Sequence, residues 1–306
     1  MPQFNIKTFK WIIFTVAISL SLVSVSHAQT GGIDPSKLGT IERDVTFCVA
    51  DDVELKMDIF YPNSVDGPVP TLMFVHGGGW RGGDKVRVER QPELPTLRDL
   101  GYFIVSVNYR LAPEYQFPAM IEDVKCAVRH LRANADSYGI DATRIGAWGT
   151  SAGGHLVSLL GVVDEGVFEG DGGFPEQSSR VQAVIDLYGP VDLAAMYDNR
   201  RSQQNLMNVV FNVEGPEDEM IQMASPVNHV TLDDPPFLLL HGELDETVPL
   251  SQSEIFLEVL NEVGVPASLV VVENGGHGFN DAHGISPTTQ ELARMVIDFF
   301  ETHLKN

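Results

Sequence analysis

Gly146-Ala147-Trp148-Gly149-Thr150-Ser151-Ala152-Gly153-Gly154-His155 is the stretch on which the reading of this chain turns. It holds Gly149-x-Ser151-x-Gly153, a serine with a glycine two residues to either side. The run before it, Arg144 to Trp148, reads as a short buried strand, and the run after it, Ala152 to Leu160, reads as the start of a helix. A serine on such a corner sits in a strained turn that only small neighbours permit. The turn lifts the hydroxyl off a sheet, and the helix N-terminus beneath it favours developing negative charge. The pattern points to a nucleophile, but an ordinary glycine-rich strand-to-helix loop would carry it too, so the context decides.

Outward from that corner, the chain alternates between two kinds of apolar pattern. Ile41–Val49 and Val53–Tyr61 read as strands joined by Asp51-Asp52. The second puts Val53, Leu55, Met57 and Ile59 on one face and Glu54, Lys56 and Asp58 on the other, as in an antiparallel edge hairpin with one wet face. Thr71–Val75, Tyr102–Tyr109, Arg180–Tyr188, Pro236–His241 and Ser268–Val272 are more continuous runs, the mark of strands covered on both faces. Helices are expected from Phe117 to about Tyr138 (ended by Gly139), from Ser251 to Val263 and from Pro287 to Leu304, with apolar residues three and four apart. Alternation over this length predicts an α/β fold: a mainly parallel central sheet of about eight strands with helices on both faces. The polar segment from Asp192 to Val230 breaks the rhythm and reads as a small helical cap over the strand ends, where such insertions shape substrate access.

The strand Thr71–Val75 runs straight into His76-Gly77-Gly78-Gly79-Trp80. Three glycines against a core strand let backbone N–H groups face a cavity with no side chain in the way, which suits an oxyanion. A phosphate cradle is the competing chemistry, but neither a Gly-Lys-Ser/Thr ending nor G-x-G-x-x-G is present.

At the N-terminus, Lys7 and Lys10 precede an apolar run from Trp11 to Val25, followed by Ser26-His27-Ala28. This reads as a secretory signal peptide cleaved after Ala28, leaving a single domain over residues 29–306; the run is short for a membrane span. The formal charge is −22, with 42 acidic against 20 Lys and Arg residues, and it grows by two units when the leader's lysines are lost. Nucleic acid and anionic membrane are disfavoured as partners, and the oligomeric state is open. Cys48 and Cys126 suffice for one disulfide in an exported protein, but their separation in space is not readable from sequence.

Ser151, Asp245 and His277 each follow a buried strand at one edge of the expected sheet, so they converge although far apart in the chain. A serine hydroxyl is a poor nucleophile until an imidazole takes its proton, and a carboxylate must orient and stabilise that imidazole. Asp192 ranks second to Asp245, with Glu243 and Glu246 behind, and His283 is a weak rival to His277. His76 and His241 read as loop-orienting residues and His155 as a packing residue.

Taken in order, His76-Gly77-Gly78-Gly79-Trp80, Tyr109-Arg110-Leu111-Ala112-Pro113, Gly149-Thr150-Ser151-Ala152-Gly153-Gly154, His241-Gly242-x-x-Asp245-x-x-Val248-Pro249 and Gly276-His277-Gly278 resemble the α/β-hydrolase superfamily. The nearer resemblance is to bacterial esterases and lipases related to hormone-sensitive lipase, including the subgroup similar to feruloyl and acetyl esterases. It spans roughly residues 45–303. It implies Ser151 as nucleophile, Asp245 as orienting acid, His277 as base, and the amides of Gly78, Gly79 and Ala152 as oxyanion donors, with Trp80 beside them as a substrate-binding residue. Thr150 departs from the acidic residue that many relatives carry there. A small-molecule ester is the expected substrate, possible targets being acetyl or feruloyl esters of plant polysaccharides, and neither metal nor cofactor is called for. The alternatives are a serine peptidase resembling prolyl oligopeptidase, which lacks support without a propeller-sized N-terminal domain, and an inactive hydrolase-fold binding protein, which would be expected to break the triad.

Overall fold

Alternation along the strands sorts the core into two layers. In the strand Val69–Val75 (β3), Met73 and Val75 pack on one face of the sheet, while Leu72 and Phe74 pack on the other. The computed structural model describes Met1 and residues 33–65, 67–199, 201–279 and 284–305. The expected signal peptide and His283 lie outside the described residues. Residues 31–306 make one compact unit.

Among the described residues, eight strands form one sheet: Ile41–Ala50 (β1), Val53–Phe60 (β2), β3, Phe103–Val107 (β4), Ile140–Thr150 (β5), Ala183–Leu187 (β6), Phe237–Gly242 (β7) and Ala267–Val272 (β8). Their order is β1-β2-β4-β3-β5-β6-β7-β8. β2 runs antiparallel to both of its neighbours, and every pairing from β4 to β8 is parallel. The wet-faced hairpin is thus at one edge, and β3, β4, β6 and β7 are in the interior. β8, expected to be covered on both faces, is instead the opposite edge strand and is only partly buried, because it has a neighbour on one side alone.

The helices are Leu94–Asp99 (α1), Ala119–Ala133 (α2), Ala135–Tyr138 (α3), Ala152–Val162 (α4), Leu193–Asn199 (α5), Arg201–Phe211 (α6), Glu219–Met223 (α7), Ser251–Val263 (α8) and Thr289–Leu304 (α9). Apolar residues of α2, α4 and α8 share one layer, whereas α1 and α9 share the other with Trp148 and Phe74. Every residue of α4 is buried, as fits a helix enclosed in the core. No helix among the described residues is long and apolar enough to cross a membrane.

Three local features differ from the sequence expectation. The helix expected over 117–138 breaks at Asn134, whose backbone is non-helical and whose Nδ2 donates to the His130 carbonyl at 2.8 Å. Such a side chain offers the backbone a substitute for the next helical bond. β5 starts at Ile140 rather than at Arg144. Residues 85–99, for which the sequence predicts no element, hold a 3-10 turn (Lys85–Arg90) and α1.

Cys48 on β1 and Cys126 on α2 are joined in a disulfide, with their Cα atoms 6.5 Å apart. It closes a loop over a sequence separation of 78, a length for which the chain-entropy model gives about 4.5 kcal/mol.

Candidate active site

The nucleophile corner is shaped by close backbone approach. Ser151 has φ 55° and ψ −120°, a region costly for any L-residue and held only by its surroundings. Its N–H donates to the Leu187 carbonyl at 2.8 Å, and its carbonyl accepts from His155 N at 2.9 Å. A Cβ at Gly153 would overlap the Val75 carbonyl, so α4 can dock against β3 only with glycine there. Ser151 stands at the carboxyl end of β5, between strands on both sides.

β7 delivers Asp245 to the same edge. Its Oδ1 accepts the amides of Thr247 (2.8 Å) and Val248 (2.9 Å), which leaves Oδ2 to accept from His277 Nδ1 at 2.7 Å. Burial alone would raise this carboxyl, but the bond to His277 and those amides outweigh it, so its pKa lies below the ordinary value. It is therefore ionised at neutral pH. The other ring nitrogen of His277, Nε2, lies 2.9 Å from Ser151 Oγ. The structure thus brings Ser151, His277 and Asp245 into one hydrogen-bonded line, whereas Asp192 Oδ1 instead accepts the Ala195 amide at the start of α5.

The glycine loop is secured peptide by peptide. Tyr109 Oη donates to the His76 carbonyl at 2.9 Å, and the Gly77 amide donates to Thr150 Oγ1 at 3.1 Å. Thr150, the departure from the acidic residue of many relatives, therefore anchors this loop. The amides of Gly78 and Gly79 donate to no group among the described residues. Gly78 has φ 139°, and a Cβ there would overlap the Gly82 carbonyl. Ala152 supplies the first amide of α4, which a helix leaves unpaired. All three residues line a cavity of about 810 Å³ that also contains Ser151 and His277.

Trp80 lines that cavity, yet it is buried and its Nε1 donates to His155 Nδ1 at 3.2 Å. It can offer a substrate ring surface but no hydrogen bond. The opposite nitrogen of His155 donates to the Ala224 carbonyl at 2.8 Å. Burial lowers the His155 pKa to about 4, so the ring is a neutral link between the glycine loop and the residue after α7. His241 is likewise buried and neutral, its Nε2 donating to the Val248 carbonyl (2.9 Å) and its Nδ1 accepting from Ser253 (2.7 Å). It fixes the loop that carries Asp245.

Several cavity residues have no counterpart in the sequence reading. Tyr188, just beyond β6, sets its ring edge-on to His277, with centroids 4.9 Å apart, and packs against Phe279. Its place after a strand was a usable signal, but an aromatic ring belongs to no triad role. Glu93 is buried at the cavity wall, accepts from Trp148 Nε1 at 3.1 Å, and is pushed up to about 7 by burial. Arg87 and Arg90 line the cavity as well. From the cap, Met196, Gln203, Leu206 and Met207 also line the cavity.

A model of the BD-FAE family matches residues 57–260. The chain belongs to that family. Esterase LipC of Mycobacterium tuberculosis (strain ATCC 25618 / H37Rv) is 33% identical to this BD-FAE chain over 241 residues, 75% of this chain and 58% of LipC. The chain spans about half the length of the curated relatives it matches. Among solved structures, a truncated carbohydrate esterase from gut microbiota superposes with a TM-score of 0.75 at 29% identity, covering 90% of this chain and 100% of that one. An acetyl ester-xyloside bifunctional hydrolase from Caldicellulosiruptor lactoaceticus gives a TM-score of 0.68 at 28% identity, over 81% of this chain and 88% of that one. The eight-stranded, mostly parallel sheet of this BD-FAE chain is that of the α/β-hydrolase fold.

Proposed function

We propose that the chain is a serine carboxylic ester hydrolase working through an acyl-enzyme on Ser151. One observation carries this: His277 bridges Ser151 Oγ and the ionised Asp245 at 2.9 and 2.7 Å, beside glycine amides that donate to no group among the described residues. As Ser151 Oγ attacks the ester carbonyl carbon, His277 Nε2 takes the hydroxyl proton, and Asp245 stabilises the imidazolium. The carbonyl oxygen gathers negative charge against the amides of Gly78, Gly79 and Ala152. The C–O bond to the alcohol breaks as His277 returns the proton to the leaving oxygen. Water then attacks the acyl group, with His277 again as base, and Ser151 is released.

The substrates we assign are short or medium acyl esters, with acetyl or feruloyl esters of plant polysaccharides as the first to try. The names of the two solved neighbours support the acetyl and carbohydrate part of this, as does a cavity lined both by polar Arg90, Gln91 and Glu93 and by apolar cap residues. Turnover of p-nitrophenyl acetate, acetylated xylo-oligosaccharides and methyl ferulate tests it, with Ser151→Ala as the comparison. Equal background for both proteins would favour the inactive binding protein. Faster cleavage of an aminoacyl-proline amide than of any ester would favour the peptidase.

We also propose that the protein is exported, with cleavage after Ala28. The basic-then-apolar leader and the Cys48–Cys126 disulfide support export, because disulfides persist in oxidising compartments. The intact mass of the protein recovered outside the cytoplasm tests it; a mass that retains residues 1–28 contradicts cleavage.

A further inference from the structure

The Gly77–Gly78 peptide is trans, so its carbonyl and its N–H point in opposite directions. Whatever holds the carbonyl of Gly77 therefore aims the amide of Gly78. That carbonyl accepts from Arg87 Nη1 at 2.9 Å and lies 3.0 Å from His76 Nδ1. His76 is buried, and burial together with the nearby Arg87 charge lowers its pKa to about 4. It is thus a neutral ring whose Nδ1 proton faces the same oxygen. Gly83 closes the third side, since a Cβ there would overlap both His76 and the Gly77 carbonyl.

Arg87 is itself presented on a braced turn. Asp84 caps the turn through the Val86 amide, Asn108 accepts the Lys85 amide at 2.7 Å, and Ser106 donates to the Lys85 carbonyl at 2.6 Å. The Lys85 ammonium is held 2.8 Å from Asp44 and 3.2 Å from Asp58.

We propose that Arg87 is a positioning residue for the oxyanion site: by clamping the Gly77 carbonyl it turns the Gly78 N–H toward the ester oxygen and polarises that amide. This rests on the esterase reading above. A charge-assisted bond to the carbonyl draws electron density from the shared peptide, and linked hydrogen bonds reinforce one another. Arg87 forms no bond to the reacting atoms in this scheme. Its effect must then surface when the oxyanion forms and not when the ester binds.

Arg87→Met and Arg87→Lys, assayed on p-nitrophenyl acetate beside wild type and Ser151→Ala, test this. Complete loss of one oxyanion donor costs on the order of 10²–10³ in kcat, so a mis-aimed donor is expected to cost about 10–10²-fold. The expected result is that loss in kcat for Arg87→Met, with KM within about twofold. Arg87→Lys should recover part of it, because an ammonium supplies charge without the planar fork. Added guanidinium chloride at low concentration should partly restore Arg87→Met and leave wild type unchanged. A kcat within twofold of wild type for both variants would overturn the proposal. So would a loss confined to KM, which would make Arg87 a substrate contact. If Arg87→Met fails to fold, Arg87→Lys alone decides, on the same split between kcat and KM. An inactive wild-type protein would instead defeat the esterase reading, and the two failures are distinct.

Discussion

The catalytic edge of the sheet and the cap above it are built by different physics. At the edge, backbone meets backbone: the Gly153 site leaves no room for a Cβ, Gly78 is in the same position against Gly82, and Ser151 holds a positive φ. The cap is short helices held by buried apolar side chains such as Met207, Val210, Phe211 and Ile221, with scattered single hydrogen bonds beside them. Gln203 Nε2 reaches the Thr247 carbonyl at 2.6 Å, Phe117 N meets the Val210 carbonyl at 2.8 Å, and His155 reaches Ala224. Its inner face offers Met196, Leu206 and Met207, and methionine side chains adapt to irregular shapes. Changes at the edge should act almost as on-off switches, whereas changes in the cap should act by degrees.

The sharpest test of that contrast is Ser151→Ala. Among the described residues the hydroxyl bonds to His277 alone, so kcat on p-nitrophenyl acetate is expected to fall by about 10⁴–10⁶ while Tm barely moves. A residual rate within a hundredfold of wild type would break the comparison.

Trp80→Phe probes a side chain shared by both regions, since Trp80 bonds to His155 and packs on Phe211 of the cap. It removes the donor to His155 Nδ1 inside a buried link, and leaving such an acceptor unpaired costs about 1–3 kcal/mol. Urea unfolding should register that loss, with the cap-side substrate preference loosened. Unchanged stability would mean that loop and cap are not coupled through His155.

Glu93 gives a pH test of the cavity wall. Burial places its folded pKa near 7, above the ordinary carboxylate value of 4.5. The folded state therefore holds this proton more tightly than the unfolded chain. The resulting stability is fully present below about 4.5 and is lost as pH rises to about 7. Glu93→Gln should flatten the decline of Tm across that window, and an identical pH profile for both proteins would contradict the assignment.

The smallest effect is expected at Leu206→Phe. Extra bulk on the cap wall should lower kcat/KM for butyrate relative to acetate esters by a few-fold, leaving acetate turnover within about threefold. An acetate rate that collapses would place the cap inside the catalytic machinery.

What was legible in the sequence follows the same divide. β3 and β7 announce themselves by unbroken apolar runs, β2 by strict alternation, and Ser151, Asp245 and His277 by standing just past strands. These are local signals. The first residues of β5, Ile140-Asp141-Ala142-Thr143, carry no strand pattern of their own; Ile140 is placed by pairing with Val69 of β3, and the register shifts before Ile145 pairs with Thr71. The 85–99 segment was silent for a similar reason. Val88, Leu94 and Leu97 are its buried apolar residues, and Pro92 and Pro95 interrupt any period. Yet it supplies Arg87 and Glu93, whose partners Gly77 and Trp148 lie 10 and 55 residues away. No local pattern encodes such contacts. The same holds for the disulfide, where two cysteines are visible but their 6.5 Å Cα separation is a product of the folded sheet.

The central claim is that one activated oxygen, Ser151 Oγ, becomes acylated. Paraoxon offers a direct test, because its phosphoryl group stays on an activated serine long enough for peptide mass mapping. The account predicts a single diethylphosphoryl group on the peptide containing Ser151, and none over the same interval in His277→Ala. A label on any other residue, or labelling that His277→Ala leaves undiminished, would contradict it.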